Sequence, residues 1–177
     1  ARESLATNHW RSGKLDLSVP EFEAALAIRT RTLGADHPDT LGTAANLGVN
    51  YKDAGRIADA IRLLEPAVAA VAENPRLAFA GPALLEAYSL ATDAPTPQRS
   101  ARVASLVREL LPSVREELAP NSAELASALA QLSTALLKAS VWDEAEPLAR
   151  ECLRIREAGA PDEWSTFNTR SVLGGVA

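Results

Sequence analysis

Apolar and polar positions alternate with the period of an α-helix in four stretches of the chain. In one of them Val103, Leu106, Val107, Leu110 and Leu111 recur every three to four residues. Such spacing places the apolar side chains on one face and predicts amphipathic helices that pack against neighbours. The four predicted segments are Leu17–Leu33, Ile57–Ala72, Arg99–Leu118 and Trp142–Ala158.

Helices richer in small residues are predicted between these segments, over Glu3–Arg11, Thr40–Ala54, Arg76–Thr92 and Ser122–Ala139, with a last one from about Ser165. Gly13 and Gly55 stand where a left-handed residue ends a helix. Short polar side chains at the helix starts predict N-caps at Asp39, Ser122 and Ser165. The stretch DAPTPQ, residues 93–98, reads as the clearest loop.

The chain repeats itself with a period of about 42 residues. Gly13 and Gly55 are 42 residues apart, and Ser18–Arg29 aligns with Ala145–Arg156. The period predicts one array of two-helix units over residues 1–177, with approximate units 1–34, 35–74, 75–119, 120–160 and a partial unit 161–177. The third unit fits worst, because Tyr88 follows Tyr51 by only 37 residues.

Each unit is predicted to bury its apolar stripe against its neighbours, since a lone helix pair cannot bury it. Small residues at Gly48, Ala60 and Ala67 allow close approach of the helix backbones, with bulkier Leu47 and Leu64 beside them. A charge at Ala60 is expected to cost several kcal/mol, because it would bury an unpaired ion.

The composition argues against nucleic-acid binding, a membrane span and an internal disulfide. Net charge is −5 with acids and bases interspersed, so no basic stripe for nucleic acid is present. No apolar run reaches the ~18 residues of a membrane span. One cysteine, Cys152, permits no internal disulfide, which fits a reducing, cytoplasmic compartment.

Candidate chemistry is sparse. Asp36-His37-Pro38-Asp39 could suggest a metal or acid–base site, but a metal needs three or four converging ligands and His9 is the only other histidine. A turn between helices is the better interpretation, with Pro38 starting the next helix and His37 bonding locally. Cys152 lies on an apolar face and is predicted to be a buried small residue. We therefore expect no enzyme activity, no metal and no cofactor.

The second unit resembles the tetratricopeptide repeat (TPR), through Leu47, Gly48, Tyr51, Gly55 and Ala60. The stretch LGADHPDTLGTAANLGVNYKDAGR is similar to the 42-residue repeats of kinesin light chains. The resemblance implies an all-α fold, a right-handed superhelix of antiparallel helix pairs (an α-solenoid). It also implies a protein or peptide partner, bound in a concave groove that the first helix of each unit lines.

Register places the groove residues on the first helices of the units. The candidates are Thr7, Trp10, Arg11, Ala45, Asn46, Val49, Lys52, Asp53, Glu86, Ser89, Ser127, Ala130, Gln131, Thr134, Lys138, Asn168 and Ser171. Asn and Gln can pair with a peptide backbone, and Lys52, Lys138 and Arg11 could hold acidic groups. The Lys/Asn/Arg clamp of chaperone-binding TPRs is not evident.

Three alternatives stay open. Two segments, GKLDLSVPEFEAAL and WDEAEPLARECLRIRE, resemble TPR segments of bacterial eukaryote-like serine/threonine protein kinases. That likeness suggests a regulatory or substrate-docking segment of such a kinase or of a signalling ATPase, although no kinase motif lies in this chain. The chain could instead be a structural spacer or oligomerisation segment, and a metal-dependent enzyme is the weakest alternative.

Tryptophans and array ends give two further expectations. Trp142 is predicted to pack into the core at a helix start, whereas Trp10 and Trp164 lie near an end and a linker. Apolar surface at truncated ends can promote end-to-end self-association.

Overall fold

The structure is a computed structural model that describes residues 2–159 together with Thr166 and Thr169. Eight α-helices and no strand are present in this part of the chain. A short 3₁₀ helix, Pro75–Leu77, precedes the fifth. The helices are α1 (Arg2–Arg11), α2 (Leu15–Leu33), α3 (Pro38–Asp53), α4 (Ile57–Ala69), α5 (Ala80–Leu90), α6 (Pro97–Glu117), α7 (Ala123–Lys138) and α8 (Trp142–Gly159).

The chain forms two compact units, residues 1–91 and residues 92–177. In the first unit each of α1 to α4 packs against the next helix in sequence, and in the second α7 packs against both α6 and α8. Loops of three residues join α1 to α2, α3 to α4 and α7 to α8, and loops this short make the joined helices antiparallel.

The predicted helices are confirmed with ends shifted by a few residues, with one exception. The predicted helix Arg76–Thr92 is divided into the 3₁₀ helix and α5. The predicted loop 93–98 is displaced by two residues to 91–96, because α5 ends at Leu90 and α6 already begins at Pro97. The predicted helix from about Ser165 and the partial unit 161–177 lie outside the described residues, apart from Thr166 and Thr169.

The turns inside the helix pairs share one geometry. Gly13 and Gly55 have positive φ, 71° and 76°, as predicted for left-handed residues. After Gly55, the Arg56 N–H donates to the Tyr51 carbonyl at 2.8 Å, and Lys14 bonds to the His9 carbonyl in the same way at 2.9 Å. Ser140 takes this position after α7 with φ 59°, so the geometry is kept there without a glycine.

Helix starts follow the predicted chemistry in part. The Ser122 hydroxyl accepts the Leu125 N–H at 3.0 Å, which confirms this N-cap. The predicted cap at Asp39 is wrong, because His37 is the N-cap and its Nδ1 accepts the Asp39 N–H at 3.1 Å. Thr96 caps α6 without having been predicted, and Ser165 lies outside the described residues.

Equivalent positions of the second helices are buried in the same way, which confirms their alignment. Ser18, Ala60 and Ala145 are all fully buried, each at the fourth residue of its helix. Seven residues later, Ala25, Ala67 and Cys152 are buried too. Small side chains at these positions let the first helix of the pair approach closely.

Candidate functional site

Hydrogen bonds between helices hold α1, α2 and α3 in register. Arg29 on α2 donates to the Glu3 carboxylate at 2.7 Å and to the Thr43 hydroxyl at 2.9 Å. Thr43 also donates to Glu3, so that one charged pair joins all three helices. The buried Ser18 hydroxyl donates to the Asn50 amide oxygen at 2.6 Å and ties α2 to α3 a second time. The first helices α1 and α3 are therefore placed by polar contacts as well as by the core.

Four polar or aromatic side chains from α1, α3 and α5 meet in a single cluster. The Trp10 indole N–H donates to Asp53 Oδ2 at 2.7 Å. Lys52 Nζ lies 3.0 Å from Asp53 Oδ1 and 2.6 Å from Glu86 Oε2. We call Trp10, Lys52, Asp53 and Glu86 the α1–α3–α5 cluster. All four lie at register positions predicted for the groove, and the structure brings them together across three helices.

The charges of this cluster differ in exposure. The Lys52 side chain is only 10% exposed, whereas that of Glu86 is 57% exposed. Burial by itself lowers the pKa of Lys52, but hydrogen bonds to Glu86 and Asp53 outweigh it, so the pKa is raised above its ordinary value. Lys52 therefore stays protonated, and its donors already serve carboxylates of the same chain. The expectation that Lys52 holds acidic groups of a partner is not supported by this arrangement.

The other candidates in the first unit divide into surface and core. Asn46 is exposed, and Val49 is half-buried on the same side of α3 as Asp53, as their spacings of seven and four residues require. Arg11 is exposed at the end of α1. The prediction for Ala45 is wrong: its side chain is fully buried and cannot contact a partner.

Candidates in the second unit form one exposed stripe on α7. Gln131, Thr134 and Lys138 are all exposed, at the three- and four-residue spacing of a helix face. The Thr134 hydroxyl donates to the Ala130 carbonyl of its own helix at 2.7 Å, so it has one hydrogen bond already. Asn168 and Ser171 lie outside the described residues.

The alternatives with metal or thiol chemistry receive no support from the geometry. His37 caps α3 through Nδ1, which is the local role predicted for it. Among the described residues no group of three His, Cys, Asp or Glu side chains could hold a metal ion. Cys152 is fully buried with its sulfur 3.1 Å from the Ala126 carbonyl oxygen, and burial raises the pKa of its thiol. A thiol in this state is a poor nucleophile.

Trp142 overturns a sequence prediction. It begins α8 and was expected to pack into the core, but half of its surface, 50%, is exposed. The core position at the fourth residue of this helix is filled by Ala145 instead. Trp10, although near the end of the first helix, is half-buried, and its indole N–H donates to Asp53 of the same chain.

Sequence reasoning did not find the ionic links of the α1–α3–α5 cluster. It placed Lys52, Asp53 and Glu86 on the first-helix face but did not predict that they would pair. One signal was available: opposite charges at Lys52 and Glu86 lie 34 residues apart, about one helical turn less than the 37 residues that separate Tyr51 from Tyr88. Neighbouring repeats place such positions side by side.

Family models identify the repeats. Two models of the tetratricopeptide repeat match the chain, one over residues 1–73 and the other over residues 125–159. The matched segments make up more than half of the sequence, and the chain belongs to the tetratricopeptide-repeat proteins. Such repeats generally mediate protein–protein interaction, and their fold family is typically non-catalytic.

Solved structures place the fold near kinesin light chain repeats. A putative kinesin light chain from Podosopora anserina with nearly identical TPR-like repeats has a TM-score of 0.67 and 21% identity, over 99% of this chain and 83% of that one. BtubC (BKLC) from P. vanneervenii has a TM-score of 0.63 and 22% identity, over 97% of this chain and 68% of that one. These likenesses confirm the predicted all-α fold class.

Other comparisons are narrower. No curated protein matches the sequence. The resemblance to kinase-associated repeats stays a prediction, because neither the family models nor the structures named above concern kinases. None of the described helices is both long and apolar enough to cross a membrane.

Proposed function

We propose that the chain is a non-catalytic interaction module that binds a peptide or protein partner on the exposed faces of its first helices. In the first unit this face is the side of α1, α3 and α5 that carries Trp10, Asn46, Val49, Asp53 and Glu86. In the second unit it is the exposed stripe of α7, with Gln131, Thr134 and Lys138. The single observation that carries the proposal is the α1–α3–α5 cluster, which aligns polar side chains from three successive first helices.

Fixed geometry is what makes this face suited to recognition. Asp53 is held from two sides, by Trp10 on α1 and by Lys52 on its own helix. Side chains restrained in this way lose little rotamer entropy when a partner binds. Asn46, two helical turns before Asp53, is exposed and offers both a donor and an acceptor to a peptide backbone.

The test is a pull-down from the source lysate with the 177-residue chain. The face variant is Asn46→Arg/Gln131→Arg, which places a bulky side chain on each first-helix face. The matched control is Gln98→Arg/Ser113→Arg, which adds the same charge at exposed positions of α6. Circular dichroism melts establish that all three proteins are folded.

A partner captured by the wild type and the control but lost by the face variant supports the proposal. Equal capture by all three proteins would place the binding site on another surface. Capture by none of them, with all three folded, would favour the spacer alternative.

A further inference from the structure

The α1–α3–α5 cluster presents negative charge outward. Its ammonium group is the buried member, since the Lys52 side chain is 10% exposed, against 32% for Asp53 and 57% for Glu86. One cation faces two carboxylates, so the cluster carries one uncompensated negative charge. A partner approaching this face meets carboxylate oxygen first.

Trp10 adds an aromatic surface beside those carboxylates. Its indole N–H is held by Asp53 Oδ2 at 2.7 Å, which fixes the ring next to the acid, and the residue remains partly exposed. An aromatic ring attracts a cation to its face, and a guanidinium can stack on it while pairing with a carboxylate. Ring and acid together suit a cationic side chain.

We infer that this face of the first unit takes a peptide segment through an arginine or lysine, whose charge pairs with Asp53 and Glu86 and whose side chain lies against Trp10. The inference rests on the proposed function and gives the partner its chemistry. Arg11 is exposed and follows Trp10, so its side chain projects about 100° further round α1.

An acidic partner would be disfavoured at this face. It would have to replace Asp53 and Glu86 at Lys52, whose ammonium is already bonded to both of them at 3.0 and 2.6 Å. Exposed carboxylates would repel it during approach. The two partner chemistries therefore predict opposite responses when the carboxylates are neutralised.

The experiment selects phage-displayed random peptides on the intact chain and measures the affinity of the enriched peptides by calorimetry. The test variant is Asp53→Asn/Glu86→Gln, which removes both charges; the amide oxygen introduced at position 53 can still accept the Trp10 N–H. The matched control, Glu116→Gln/Glu117→Gln, removes two exposed carboxylates at the end of α6. Melting curves establish that each variant folds.

We expect the enriched peptides to contain more arginine and lysine than the starting library. Their affinity should fall about three- to tenfold in the test variant and stay unchanged in the control, the size typical of one or two exposed ion pairs. Binding to the wild type should weaken with added salt, and this dependence should be smaller in the test variant.

Enriched peptides without an excess of basic residues would overturn the inference, as would peptides that bind the test variant equally well or more tightly. If those peptides are lost on Asn46→Arg, the face binds peptide and only the cationic chemistry is wrong. Enrichment of no peptide at all on the folded chain would contradict both the inference and peptide binding itself.

Discussion

The Tyr88 hydroxyl donates to the Glu65 carboxylate at 2.5 Å, and this pair repeats one unit later the bond of 2.6 Å between Tyr51 and Glu23. In both cases a tyrosine near the end of a first helix bonds to a glutamate of the preceding second helix. Glu65 follows Glu23 by 42 residues, whereas Tyr88 follows Tyr51 by 37. The third unit thus keeps the contact although its spacing is shorter.

Removing the Tyr51 hydroxyl should destabilise the fold moderately. Tyr51→Phe keeps the ring under the Arg56 guanidinium, which lies 3.8 Å from the ring centroid, and deletes only the bond to Glu23. We expect a loss of about 1 kcal/mol in the free energy of unfolding at neutral pH. Urea denaturation of the wild type and the variant measures this loss, and an unchanged midpoint would show that the bond contributes nothing.

The same residue predicts a dependence on alkaline pH. Burial, followed by the hydrogen bond to Glu23, raises the pKa of Tyr51 above its ordinary 10.0. Its stabilising contribution is therefore complete below the unfolded-state pKa of about 10 and is lost as the pH rises through the folded-state pKa. Wild-type stability should fall more steeply above about pH 10 than that of Tyr51→Phe. Parallel curves of stability against pH for the two proteins would contradict a raised pKa at Tyr51. The pKa of Lys52 is also raised, but Lys52 is present in both proteins, so its effect cancels in the comparison.

Alanine substitutions at two glycines of α3 should have opposite effects on stability. A Cβ at Gly48 would lie 2.8 Å from Leu64 Cγ, whereas one at Gly42 meets nothing within 4 Å. Gly48→Ala should destabilise by about 1–2 kcal/mol, because overpacking outweighs the gain in helix propensity. Gly42→Ala should stabilise by up to about 1 kcal/mol. Thermal melts compare the two, and similar shifts in both would mean that α3 and α4 do not approach closely at Gly48.

A charge at Ala60 should be far more damaging than one at its neighbour. Ala60 is fully buried against α3, while Ala58 is exposed in the first turn of the same helix. Ala60→Asp should cost several kcal/mol by burying an unpaired carboxylate. Ala58→Asp places the same group in solvent near a helix N-terminus, where it is tolerated. A melting temperature of Ala60→Asp equal to that of the wild type would refute the packing of these helices.

Loss of the cap on α7 should be measurable in the second unit. Ser122→Ala removes the hydroxyl that accepts the Leu125 N–H and should cost about 1 kcal/mol. Ser127→Ala is the matched control, because the exposed Ser127 hydroxyl bonds only to its own helix at Ala123. Denaturation curves in which both variants lose equal stability would argue against the cap.

The candidate site could be predicted in part. Register placed Asp53 and Glu86 on exposed helix faces because a helical stripe depends only on spacing. Their bonds to Lys52 and Trp10 depend on how far neighbouring helices are rotated, which spacing does not specify. For the same reason Ala45, next to the exposed Asn46, was assigned to the wrong side, and Trp142 was placed in the core although half of it is exposed.

The sequence by itself determined the class of the protein. Apolar periodicity, the 42-residue repeat and left-handed glycines at Gly13 and Gly55 are local features, and each specifies helices and tight turns within one repeat. Tertiary structure alone decided which side chains meet. Lys52 is buried between two carboxylates of its own chain because α3 and α5 contact each other, and this contact leaves the carboxylates as the more exposed members of the cluster.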